Sequence, residues 1–367
     1  MDPIILSKRN RYLAFHVNRS SKMDSISNNN KRDYSSLQHG DGGLCGAGKI
    51  SHDFCVALVW KTSLLHPHSH YPAYRLSAIA SRSLERAQDF AKRHGVLKVD
   101  GTYEELAHDP NVDIVYVGVL HTKHWRVGLS FLNAGKNLLR EKSFAMNYKQ
   151  VKDLAEAARR NNMFLMEAIW SRCFPAHAEV GRRMGEGAVG DAKLVKAYFG
   201  SPRLDIPRSV ESERGGGALL DIDVYCVQFV LMAFDGERPE SVRATGVLLD
   251  SGVDDSVVVV MKFSRKRMAT CTFAVTVRLP NNAVIGGTKG SIQVRGRTHC
   301  PNRVVGNGKV SRYSSARLSY EAEDVRQCLL KGLKESPRMP LADSILLTEI
   351  MEKIRKQVGV IFSQDSQ

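Results

Sequence analysis

Leu139-Arg140-Glu141-Lys142-Ser143-Phe144-Ala145-Met146-Asn147 divides this chain into two kinds of pattern. Before it, strand and helix signals alternate, which predicts an open parallel sheet covered by helices. After it come a long helix, a series of short strands and a closing helix. Residues 137–139 read as a short strand ended by Glu141-Lys142, and Asn147 reads as the N-cap of the following helix. A charged pair at the carboxyl end of a strand in such a sheet stands where these sheets bind ligands. Lys142 is there either a surface group or a cation that contacts a substrate hydroxyl and lowers the pKa of a neighbouring acid.

On the N-terminal side, residues 112–119 form a continuous apolar run of the kind found in buried parallel strands. His121 and His124 follow it. They lack the carboxylate or thiol company of a metal site, so they line a pocket or cap a helix. Residues 75–80 read as another strand, followed by Ser81-Arg82-Ser83 and, one turn on, Arg86. Two guanidiniums and two hydroxyls suit a 2′-phosphate and so favour NADP over NAD; the competing reading is a solvated helix start. Upstream, Leu44-Cys45-Gly46-Ala47-Gly48-Lys49-Ile50-Ser51 reads as strand, glycine turn and helix. Gly46 would make the tight turn, Gly48 would let backbone approach a pyrophosphate at the helix N-terminus, and Ser51 would take the third place, where a small residue lets the helix pack close to the sheet. The strand before this turn looks eroded, because Asp41-Gly42-Gly43 should fray it. A helix is expected over 51–58, then a loop rich in His and Pro. Residues 1–42 are too polar to offset the entropy of ordering and read as a disordered extension.

On the C-terminal side, Val151, Leu154, Ala155 and Ala158 mark one apolar face of a helix over 148–160. A strand over 163–168 leads to Trp170, either a core anchor or one wall of a substrate pocket. Strands at 192–200, 241–249, 255–263, 269–277, 282–285 and 291–294 predict an antiparallel sheet. Gly215-Gly216-Gly217 opens a loop and helix in which Asp221 and Tyr225, four apart, share a face. Tyr225 is either a core tyrosine or a group that exchanges a proton with a substrate hydroxyl once a nearby cation depresses its pKa.

The bulk numbers fit this division. The 367 residues are enough for two domains with real cores. The net charge of +15, from 53 basic and 38 acidic residues, is spread along the chain, which suits an anionic small ligand better than a nucleic-acid groove. Seven scattered cysteines without a C-x-x-C pair read as a reduced, cytoplasmic protein. No apolar run approaches the roughly 18 residues of a membrane span.

Gly46-Ala47-Gly48, Glu141-Lys142 and Asp221-x-x-x-Tyr225 resemble the glucose–fructose oxidoreductase and inositol dehydrogenase (Gfo/Idh/MocA) superfamily. Within it, Ile50-Ser51-His52-Asp53-Phe54, Phe164-Leu165-Met166-Glu167-Ala168-Ile169-Trp170, Gly217-Ala218-Leu219-Leu220-Asp221-Ile222 and Gly287-Thr288-Lys289-Gly290 are similar to a branch of NADP-dependent dehydrogenases. That branch acts on trans-dihydrodiols and on aldoses such as D-xylose. The resemblance implies an α/β Rossmann domain over 43–168, an α+β domain with a large, mostly antiparallel open sheet over 169–340, and a C-terminal helix and tail over 341–367. It also implies a homodimer formed through that sheet. Carried over, Lys142, Tyr225 and Asp221 are catalytic. Gly46, Gly48, Lys49, Ile50, Arg82, Arg86, His121, His124, Glu141 and Lys142 hold NADP. Trp170 and Phe199 wall the substrate, a small diol or sugar. Neither a metal, a nucleic acid nor a membrane is implied. Ser143 replaces the family's proline, Asp223 replaces a glycine and should add negative charge near the pocket, and residues 299–320 look short enough to cost a pocket wall. These departures leave open a member that binds NADP without catalysis and serves as a scaffold.

Overall fold

The computed structural model describes residues 40–65, 74–314 and 318–366. The long loop expected at 66–74, apart from Tyr74, and the extension over 1–39 lie outside the described residues. The N-terminal half runs β1 (Gly40–Cys45), α1 (Lys49–Leu65), β2 (Tyr74–Ala80), α2 (Leu84–His94), β3 (Lys98–Asp100), α3 (Tyr103–His108), β4 (Ile114–Val117), α4 (His121–Asn133), β5 (Asn137–Glu141), α5 (Tyr148–Arg160) and β6 (Leu165–Ala168). Its six strands pair in parallel in the order β3-β2-β1-β4-β5-β6. The winding direction therefore reverses between β1 and β4, and the crevice at their carboxyl ends is the ligand position of such a sheet. The expected caps are present. Asn147 accepts from the Gln150 N–H at 2.9 Å, and Gly95 ends α2 in the left-handed conformation.

The first strand corrects the sequence reading. It begins at Gly40, inside the stretch read as disordered, and pairs with β2 along its whole length and with β4 from Gly42 on. Close packing accounts for Gly43. A Cβ on Gly43 would lie 2.9 Å from Val112 and 3.1 Å from Leu106. Ladder hydrogen bonds on both sides hold what local propensity alone would fray. Similarly, α1 runs to Leu65 rather than stopping near 58.

The second half continues with α6 (Pro175–Gly185), β7 (Ala192–Gly200), α7 (Pro207–Val210), α8 (Val224–Ala233), β8 (Ser241–Leu248), β9 (Asp254–Phe263), β10 (Arg267–Ala274), β11 (Ala283–Gly287), β12 (Gly290–Arg295), β13 (Arg303–Gly306), β14 (Lys309–Arg312), α9 (Ser319–Leu330) and α10 (Leu341–Val358). Its eight strands lie in the order β14-β13-β12-β11-β7-β10-β9-β8, antiparallel except for β10 against β7. Strands β13 and β14 fill the segment read as shortened. One face of the sheet packs on α8, every residue of which is buried. By length and composition alone the stretch Ser212–Ala233 would pass for a membrane span, although Asp221 and Asp223 interrupt its apolar residues and its apolar window is buried. It lies inside the protein, where a helix apolar all round belongs. Helix α10 packs on both α5 and β8, so it joins the two halves.

Candidate active site

The carboxyl ends of β1, β2, β4 and β5 open into a cleft of about 1060 Å³. At its floor the chain leaves β1 through Gly46, whose φ of +106° is costly for any residue with a Cβ. The Gly46 N–H donates to Ala80 O and the Gly118 N–H to Cys45 O, both at 2.9 Å, which ties the turn to both neighbouring strands. Ser51 is fully buried, and a Cβ on Gly118 would come within 2.6 Å of its hydroxyl. A small residue there lets α1 sit close to β4. Gly48, Lys49, Ile50, Arg82 and Arg86 line the cleft, as do His121, Glu141 and Lys142.

Beyond Lys142 the site is built around one carboxylate. Asp221, 1 % exposed at its side chain, accepts from Arg208 at 2.7 Å, from Ser209 at 2.6 Å and from Arg203 at 3.2 Å. The Lys142 ammonium lies 3.4 Å from its Oδ1 and donates to its main-chain oxygen. Burial alone would raise the Asp221 carboxyl. Lys142, Arg208 and Arg203 outweigh it and hold the group ionised, far below the usual carboxylate range. The same Lys142 Nζ lies 5.8 Å from the centre of the Tyr225 ring. The expected shared face of Asp221 and Tyr225 is therefore realised around one lysine. Burial lowers the Lys142 pKa, and Asp221 opposes the shift.

Three expectations are corrected. The phenol of Tyr225 is not depressed by Lys142. Burial pushes it well above its ordinary value, and Glu141 and Glu321 push further. The ammonium is engaged by Asp221 instead. His124 does not line the cleft. It is fully buried, with Nδ1 2.9 Å from Ser143 O and Nε2 3.0 Å from Val119 O, so it braces the end of β5 against the β4–α4 turn. His121 does line the cleft. Burial lowers it to about 4, so the neutral ring donates through Nε2 to Gly215 O at 2.7 Å. Asp223 adds no charge to the site: it is fully buried, and burial, with Asp254 nearby, pushes its carboxyl far up into the neutral form. The loop between β12 and β13 brings His299, which the sequence reading did not assign, against the aromatic side chains. Its ring lies 4.5 Å from Phe199 at an interplanar angle of 4°, 5.4 Å from Tyr225 and 6.2 Å from Trp170. Phe199 lies 6.1 Å from Tyr225 directly, and His299 contacts Phe199, Tyr225 and Trp170 alike.

The sequence reading missed Arg203, Arg208, Ser209 and His299. The first three lie in an aperiodic stretch of mixed charge, with Asp205, Glu211 and Glu213 set among the arginines, so no local signal marked them. Glu141 was found, but its carboxylate turns back to accept from the Tyr116 hydroxyl at 2.6 Å.

Comparison with known proteins gives the same picture. Residues 42–169 match a family model described as an oxidoreductase family with an NAD-binding Rossmann fold, and residues 177–293 match the GFO/IDH/MocA C-terminal domain. The chain is 50 % identical over 337 residues to a trans-1,2-dihydrobenzene-1,2-diol dehydrogenase of Danio rerio, covering 89 % of this chain and 98 % of that one. The Homo sapiens protein of the same name is 39 % identical over 335 residues, covering 88 % and 98 %. Among solved structures, a 3-ketoreductase from Actinomadura kijaniata in complex with NADP and TDP-benzene superposes with a TM-score of 0.73 at 24 % identity, over 88 % of this chain and 98 % of that one. It shares the fold.

Proposed function

The chain belongs to the GFO/IDH/MocA family of oxidoreductases, and from that premise we propose that it is an NADP-dependent dehydrogenase. It oxidises a hydroxyl-bearing carbon of a trans-dihydrodiol or of an aldose such as D-xylose. The observation that carries the reading is the convergence of Lys142, Asp221 and Tyr225 where the cleft meets the aromatic wall. The residues present fit the dinucleotide. The Gly46–Gly48 turn opens onto a helix of 17 residues with no acidic side chain in its first turn, so its N–H groups suit a pyrophosphate. Arg82 and Arg86 line the same cleft without an ion-pair partner among the described residues, which suits a 2′-phosphate. Bound there, NADP supplies the hydride acceptor.

The protein's own part is proton transfer and charge placement. Tyr225 exchanges the substrate hydroxyl proton, and Lys142, held by Asp221, steadies negative charge on the same oxygen. Tyr225 keeps its proton in the free site, so its base form is scarce at neutral pH and grows about tenfold per pH unit. Oxidation followed by NADPH absorbance, with trans-dihydrobenzenediol or D-xylose, should therefore climb steadily from about pH 7 to 9. Tight NADP binding with no turnover of either substrate would sink the dehydrogenase reading in favour of a scaffold. Arg82→Ala and Arg86→Ala should each weaken NADP by about 10- to 100-fold, the loss of a hydrogen bond to a charged group, and leave NAD nearly unchanged. Equal losses for both cofactors, measured by fluorescence titration, would remove the 2′-phosphate role.

Two further features belong to this reading. Val247, Val258, Leu194 and Met268 are exposed on the large sheet, 63 %, 44 %, 38 % and 38 % respectively, and support a homodimer through that face. All seven cysteines are unpaired and buried, which supports a reducing, cytoplasmic setting.

A further inference from the structure

We propose that His299, with Arg203 beside it, sets the specificity of this site for polyhydroxylated substrates over hydrocarbon-ringed diols. The inference rests on the dehydrogenase reading and narrows its substrate class.

His299 is held in place. In its loop, Thr298 donates from both N–H and hydroxyl to Asn281 O, at 2.9 Å and 3.1 Å, and the Cys300 N–H closes the turn on Arg297 O at 3.0 Å. Thr298 and Cys300 are both buried. The ring between them stacks flat on Phe199 and faces Tyr225. Burial, then the cations Arg297, Arg203 and Lys142, lower the imidazole to about 3, so at neutral pH it carries one N–H and one lone pair and no charge. Its Nδ1 is buried and has no hydrogen-bond partner among the described residues. The Nε–H of Arg203 is in the same condition, while its NH1 is fixed on Asp221. Were His299 only filling space against Phe199, a phenyl ring would stack as well and would not leave a polar atom desolvated without return. A ligand that brings hydroxyl oxygen to these polar edges would satisfy both of them.

The two substrate classes differ at that point. A dihydrobenzenediol has two adjacent hydroxyls, one taken at Tyr225 and Lys142 and a single one left over, and the rest of its ring is hydrocarbon. A pyranose offers a C–H face to Phe199 and hydroxyls around its rim to His299 and Arg203. A site built to hydrogen-bond a substrate hydroxyl discriminates strongly against an analogue without it.

The test compares kcat/KM for D-xylose and for trans-dihydrobenzenediol, with NADP, in the wild type, His299→Phe and His299→Asn. Phenylalanine keeps the stack and removes the polar edge; asparagine keeps an amide nitrogen near Nδ1 and removes the stack. His299→Phe should lower D-xylose about 10- to 100-fold, the loss of one or two buried hydrogen bonds, and leave the diol within about threefold. His299→Asn should recover part of the D-xylose loss. Equal falls for both substrates, or no change in their ratio, overturn the proposal. If neither substrate turns over, the dehydrogenase reading fails by itself. Saturation-transfer NMR on the NADP-loaded protein then still decides the role of His299. D-xylose binding that exceeds diol binding and is lost in His299→Phe upholds it. Absent binding, or binding unaltered by the substitution, overturns it.

Discussion

Tyr225→Phe is expected to lower turnover by about a thousandfold, within the range for removing a positioned proton-transfer group. The substitution keeps the ring that packs 6.1 Å from Phe199 and 5.4 Å from His299, so the aromatic wall survives and only the hydroxyl is lost. Lys142→Met should give a loss of the same order for a different reason. The apolar stem remains and the ammonium goes, while Asp221 still has Arg203, Arg208 and Ser209 to hold it. The two effects should not add in the double variant, since both groups act on one substrate oxygen. Cofactor affinity separates chemistry from binding. It should stay nearly unchanged in Tyr225→Phe and fall modestly in Lys142→Met, because Lys142 lines the cleft and the tyrosine does not. Stopped-flow NADPH absorbance gives the first quantity and equilibrium titration the second. Near wild-type turnover in either variant would remove that residue from the reaction.

The second large effect is on the fold. Asp221→Ala is expected to destabilise the protein by about 3 kcal/mol, read from urea unfolding. The carboxylate faces three cations at once, and removing it leaves Lys142, 13 % exposed, and Arg203, 24 % exposed, without the partner they share. Arg208 is 42 % exposed and can turn to water, which places the loss near the lower end of the range for breaking a buried ion pair. Asp221→Asn should lose less stability, because the amide oxygen still accepts from Ser209 and an arginine. It should nevertheless lose turnover, since an uncharged partner no longer opposes the burial that lowers the Lys142 pKa. An Asp221→Ala variant as stable as the wild type would show that the cluster is not what holds the loop before α8 to β5.

The parts of the site that could be read early are those carried by local grammar. Gly46 and Gly48 sit in a turn between strand and helix, Arg82 and Arg86 follow a strand end by one helical turn, and Lys142 ends a strand whose neighbour begins with an N-cap. Each is a short-range relation among backbone propensity, turn chemistry and side-chain spacing. Where the same local logic was applied to Gly40–Cys45, it understated the strand, because pairing with β2 and β4 on both sides overrides what three glycines prefer. It also misplaced Asp223. The turn Leu219–Asp223 is wound as a π-helix, and the wider turn directs Asp223 into the core while Asp221 meets Lys142.

By itself the sequence determined a parallel nucleotide-type sheet followed by a mostly antiparallel one, and a lysine, an aspartate and a tyrosine able to meet between them. The period of apolar residues and the residues that start and stop elements act over a few positions, and those can be read along a line. Only the tertiary structure decided that Asp221 draws on Arg203 and Arg208, that Tyr225 holds its proton, and that His299 closes the aromatic wall. Those outcomes depend on burial and on charges from distant segments brought within a few ångströms. Desolvation and Coulomb energies follow distance in space, which the order of residues does not contain.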